Sequence, residues 1–71
     1  MTTTIALQIN GKPETITSPL NVTDFLRNRS IEPSHVALEI NGVIVSKDEF
    51  DTYHINANDS IEIVRFVGGG K

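Results

Sequence analysis

The sequence predicts an α+β fold: a mixed sheet of four to five strands with a single helix packed across one face. Three observations carry that prediction. Two Asn-Gly dipeptides, Asn10-Gly11 and Asn41-Gly42, each follow a stretch of alternating apolar and polar residues. One stretch, Leu20 to Ser30, carries apolar residues at helical spacing instead. The last run, Ser60 to Val67, is apolar on both of its faces.

Thr4 to Asn10 reads as the first strand, with Ile5, Leu7 and Ile9 on one face at period two. Asn10-Gly11 suits a type I′ turn, whose two central residues need positive φ. Lys12 to Thr17 returns as a more polar strand, and Pro13 near its start fits a sheet edge, where a missing N–H is tolerated. The helix over Leu20 to Ser30 takes Asn21 as its N-cap, with Asp24 three residues on in a variant of the capping box. Leu20 and Phe25 occupy the staple positions, and Val22, Phe25, Leu26 and Arg29 share one helical face. Pro33 limits how far this helix runs. At about two to three turns it is too short to persist alone and must be held by packing.

His35 to Asn41 is the clearest strand, with Val36, Leu38 and Ile40 alternating with Ala37 and Glu39. The second Asn-Gly turns the chain so that Val43 to Val45 returns beside it. Lys47 to Tyr53 is a polar, acidic connection anchored by Phe50 and Tyr53. After a turn at Asn58-Asp59 the final strand, Ser60 to Val67, places Ile61 and Ile63 on one face and Val64 and Phe66 on the other. Apolar faces on both sides suit a central position, paired with the first strand.

Composition narrows the function. The chain is 38% hydrophobic and 21% charged, ordinary for one folded domain, and it has no cysteine. That excludes a disulfide framework, a thiolate zinc site and a cysteine nucleophile. With a net charge of −3 and its six Lys and Arg scattered singly, it offers no basic patch for nucleic acid. Met1 to Gln8 lacks the basic and apolar regions of a signal peptide, and nothing approaches the roughly 20 apolar residues of a membrane span. A cytoplasmic location is expected.

Conventional catalytic groupings are missing. His35 and His54 have no ligand-type partner at short spacing. Asp48, Glu49 and Asp51 lack the calcium-loop pattern and read as a solvated turn, or as charges that help docking on a basic partner surface. Ser18, Ser30, Ser34, Ser46 and Ser60 fall at turns or caps, with no nucleophile elbow. Gly68 to Gly70 precedes no helix that could hold a phosphate. What stands out is the end itself: a strand passes directly into Gly68-Gly69-Gly70-Lys71. Residues 1–67 are expected to form the domain and 68–71 a flexible tail, thin enough to enter a narrow active site of another protein. A carrier or a binding module fits this pattern better than an enzyme.

Four segments carry a family resemblance that covers essentially the whole chain. They are Ile9 to Pro13, Leu20 to Val22 before the helix, Val36 to Val45, and above all Asp59 to Gly70. Together they resemble the sulfur carriers of thiamine biosynthesis (ThiS), in the ThiS/MoaD-like, ubiquitin-related family. The resemblance implies a ubiquitin-like β-grasp fold. It also implies that Gly70 carries the reactive carboxylate, adenylated by a ubiquitin-activating-like adenylyltransferase that uses ATP and Mg²⁺. A persulfide from a cysteine desulfurase or another donor then yields a thiocarboxylate, whose sulfur thiazole synthase takes. The chain itself would bind no cofactor or metal. Val67, Gly68 and Gly69 would be the tail gripped by partners, with Val64 and Phe66 as docking candidates; a core role for Phe66 is the alternative.

Lys71 departs from the family pattern. It must be removed by processing, or be foreign to the natural chain as a residual tag, for Gly70 to be terminal. The alternatives are a carrier for molybdopterin or another sulfur pathway, a protein-conjugating ubiquitin-like modifier, and an interaction-only β-grasp domain.

Overall fold

Both Asn-Gly dipeptides turn the chain as expected. In the computed structural model, which describes residues 3–66, φ is 51° at Asn10, 82° at Gly11, 56° at Asn41 and 83° at Gly42. These are the left-handed values a two-residue hairpin turn requires. Strand β1 (Thr3–Ile9) thereby folds back on β2 (Lys12–Ser18), with Ile9 facing Lys12 across the turn. Likewise β3 (Val36–Ile40) folds back on the short β4 (Val43–Ile44). Strand β5 (Ser60–Arg65) lies between the two hairpins, parallel to β1 and antiparallel to β3. The order β2-β1-β5-β3-β4 makes β1 and β5 neighbours at the centre and leaves Pro13 on an edge strand, as the sequence predicted.

Helix α1 (Val22–Asn28) is shorter than the predicted segment at both ends. It cannot begin earlier because Asn21 is extended and bridges to His54, while the Leu20 carbonyl accepts the Ile55 N–H at 3.0 Å. Asn21 caps it through Oδ1, which accepts the Asp24 N–H at 2.7 Å; among the described residues Asp24 makes no return bond. Its other end is closed before Pro33 can act. Ser30 is left-handed (φ 61°) and donates its N–H to the Arg27 carbonyl, while the Ile31 N–H reaches the Leu26 carbonyl, both at 2.9 Å. That is a Schellman closure with serine where glycine is usual, and Ile31 folds back into the core beside Leu26.

Val22, Phe25 and Leu26 from the helix pack against Leu7, Ile9, Val36, Leu38, Ile40 and Ile61, all buried. From the connection, Phe50 is buried as predicted. Tyr53 is not the second anchor: its side chain is exposed, and it serves through its carbonyl, which accepts the Val22 N–H at 3.0 Å. The inward place in that stretch belongs to Ile55.

Candidate functional site

The strand that leads to the chain's end is tied down most firmly at its start. Asn10 donates its N–H to the Ile61 carbonyl at 2.8 Å, and its Oδ1 accepts the Ile63 N–H at 2.8 Å. Asn41 does the same from the other side. Its N–H reaches the Ser60 carbonyl at 2.8 Å and its Oδ1 accepts the Ser60 N–H at 2.9 Å. Its Nδ2 donates to Oδ1 of Asp59 at 3.0 Å, and Oδ2 of that buried carboxylate accepts the Asn56 N–H at 2.8 Å. Turn chemistry predicted the two asparagines as turn formers. Their second role, as clamps on β5, depends on where the third strand lies and was missed.

Beyond this clamp β5 alternates. Ile61 and Ile63 face the helix, while Glu62 and Val64 face the side without one; Phe66, just past the strand, is next in that alternation. Val64 is 54% and Phe66 58% exposed, which removes the core role for Phe66. A central place in the strand order did not bring burial on both faces, because α1, the one α-helix among the described residues, covers the other side. Ile44, 69% exposed, belongs to the same face: it stands opposite Glu39, which stands opposite Glu62. Ala37 stands opposite Val64. The sequence marked β4 as a simple return strand, so Ile44 was missed. Its signal was a two-residue strand in which both residues are β-branched and apolar.

At the end of β5 the Phe66 N–H donates to the His35 carbonyl at 3.0 Å. The Lys47 ammonium sits 4.9 Å from the Phe66 ring centroid, within cation–π range, and donates to the Ser34 carbonyl at 3.0 Å. Phe66 is thus held against two separate loops just where the chain leaves the sheet. Val67, Gly68, Gly69, Gly70 and Lys71, on which the sequence placed the reactive end and its grip, lie outside the described residues.

The remaining candidates are structural. His35 closes a 3-10 turn (Pro33–His35), and His54 bridges to Asn21 through its backbone. Asp51 accepts the Thr23 hydroxyl and, through its carbonyl, Nδ2 of Asn21 at 3.0 Å, which fastens the helix start to the connection. Among the described residues no group of His, Asp and Glu could hold a metal ion, and no helix is long and apolar enough to cross a membrane. On the helix side Arg29 pairs with Glu14 at 2.8 Å. Its hydrogen bond and its charge hold the Glu14 carboxyl below its ordinary value of 4.5.

Comparison with known proteins follows the same outline. The ThiS family matches residues 7–70. A protein of Porphyra purpurea known as ycf40 is 35% identical over 93% of this chain and 93% of its own. The sulfur carrier protein ThiS of Bacillus subtilis is 35% identical over 90% of this chain and 98% of its own. A thiazole synthase of Magnetococcus marinus is 29% identical over 92% of this chain, a match that occupies 20% of that longer protein. The crystal structure of the thiamine biosynthesis protein ThiS from Geobacter metallireducens superposes with a TM-score of 0.81 at 33% identity, covering 93% of this chain and all of that one. The architecture is the ubiquitin-like β-grasp, and the chain belongs to the ThiS family.

Proposed function

We propose that this chain is a sulfur carrier for thiamine biosynthesis and that the carboxylate of Gly70 is its working group. The observation that carries this reading is the family match, which runs to residue 70 and leaves Lys71 outside it. For Gly70 to be terminal, Lys71 is either removed by processing or foreign to the natural chain. A carboxylate is a poor electrophile because its oxygens are poor leaving groups. Adenylation by a ubiquitin-activating-like adenylyltransferase, with ATP and Mg²⁺, converts one oxygen into part of a good leaving group. The outer sulfur of a persulfide supplied through a cysteine desulfurase then attacks the acyl adenylate and displaces AMP. A second thiol, external to this chain, attacks the donor-side sulfur of the resulting acyl disulfide, forming a disulfide and releasing the thiocarboxylate. With no cysteine in the chain, no side-chain thiol competes for the sulfur.

Thiazole synthase is the proposed acceptor. This is supported by the occurrence of a segment like this chain within a thiazole synthase of Magnetococcus marinus. Docking uses the open face of β5, with Val64 and Phe66 joined by Ile44, while Val67, Gly68 and Gly69 pass into the partner's active site. Their small side chains suit a narrow channel.

The test is mass spectrometry of the C-terminal fragment after incubation with the adenylyltransferase, ATP and a persulfide source, for the full chain and for a chain ending at Gly70. Exchange of one oxygen for sulfur at Gly70 is expected in the chain ending there, whereas the full chain, whose Gly70 carbonyl is in the peptide bond to Lys71, is expected to stay unmodified. Fragmentation must place the change, because oxidation of Met1 adds nearly the same mass. A chain ending at Gly70 that stays unmodified would overturn the reading, and higher-mass conjugates would turn it toward a protein modifier.

A further inference from the structure

The middle of the open face carries two glutamates directly opposite each other, Glu39 on β3 and Glu62 on β5. Opposed residues of an antiparallel pair have Cβ atoms about 5 Å apart, and like charges placed so repel. Nothing in this chain relieves the pair among the described residues. Lys12 lies opposite Ile9, and Arg65 follows Ile61 and Ile63, so both register to the helix side. Arg27 and Arg29 stand at the helix and its C-cap, with Arg29 committed to Glu14. Lys47 is committed to the Phe66 ring and the Ser34 carbonyl.

The surroundings make that pair costly to cover. Ile44 flanks Glu39 on β4, and the next cross-strand pair along the sheet is Val64 with Ala37. Any protein surface that covers Ile44 and Val64 also takes both carboxylates out of water. Desolvating an unpaired carboxylate is strongly unfavourable, and the penalty is offset when a partner's cation is hydrogen-bonded to it. A guanidinium, planar and forked, can serve two carboxylates at this separation.

We propose that the partner docking on the open face is a protein that inserts an arginine between Glu39 and Glu62, inside a ring of apolar contacts to Ile44, Val64 and Phe66. This rests on the docking reading above. It adds that the site is selected by charge at its centre, with apolar contacts around it. The free chain keeps a repulsive pair, which disfavours partners that lack the cation.

The test measures binding of the full chain to the source organism's thiazole synthase, comparing wild type with the E39Q/E62Q double variant and with E62Q alone. Glutamine keeps shape and removes charge, so thermal stability should hold or rise. Affinity should fall about tenfold or more, and its salt dependence should flatten. Wild-type affinity and salt dependence in the double variant would overturn the proposal. Phe66→Asp separates the two readings. If it abolishes binding while E39Q/E62Q does not, the central cation is wrong and the docking face stands. If neither variant affects binding, the docking face is wrong as well.

Discussion

The two faces of the central strands differ in what covers them. Toward the helix, Val36, Leu38, Ile40 and Ile61 are at most 1% exposed. On the other side of the same strands Val64 is 54% exposed, and its neighbours include two opposed glutamates. Among the described residues the one α-helix covers one face and leaves the other exposed. A single exposed apolar residue needs no explanation. Here three large apolar side chains, Ile44, Val64 and Phe66, are left exposed at the end of β5 and on the strand beyond its neighbour.

Four substitutions press on that contrast. Leu38→Ala, on the covered face, should cost about 2–5 kcal/mol because it leaves a cavity in a packed core; chemical denaturation measures it. Asn41→Gly keeps the left-handed turn but removes the side-chain clamp on Ser60 and Asp59. It should cost about 1–3 kcal/mol by the same assay, since a buried carboxylate oxygen loses its donor. Phe66→Asp should change stability by about 0.5 kcal/mol or less while weakening partner binding. Unfolding instead would mean that the open face also supports the fold.

The smallest effect is that of Arg29→Ala. Because Glu14 titrates below 4.5 when folded, its contribution is fully present above that value and is lost as pH falls through the folded value. Replacing Arg29 should flatten the acid limb of a melting-temperature profile and leave neutral pH nearly unchanged, the pair being exposed.

What could be read from the sequence was whatever local chemistry dictates. The Asn-Gly turns, the Asn21 cap, the buried face of the helix and the alternation of β3 all follow from neighbours a few residues apart. Phe50 was legible as an anchor by its size in a polar stretch, yet the same reasoning misjudged Tyr53, because Ile55 takes the inward place. Ser30 in a left-handed conformation ended the helix where proline had been expected to, since few signals mark a serine for that role. On the open face, Val64 and Phe66 could be named from strand period alone. Ile44 and the Glu39–Glu62 opposition required the pairing register, which joins residues 39 and 62 across a connection of irregular structure.

The clamp at the start of β5 also has a mechanical meaning. The asparagines grip Asp59, Ser60, Ile61 and Ile63, whereas the chain leaves the sheet at the other end of the strand, after Phe66. A partner drawing on the residues beyond Phe66 would pull along the strand axis. The β3–β5 hydrogen bonds, from Val36↔Arg65 to Ile40↔Ile61, would then share the load in shear rather than open one after another. Loaded in that direction, β5 would resist extraction through its whole register with β3 instead of opening pair by pair.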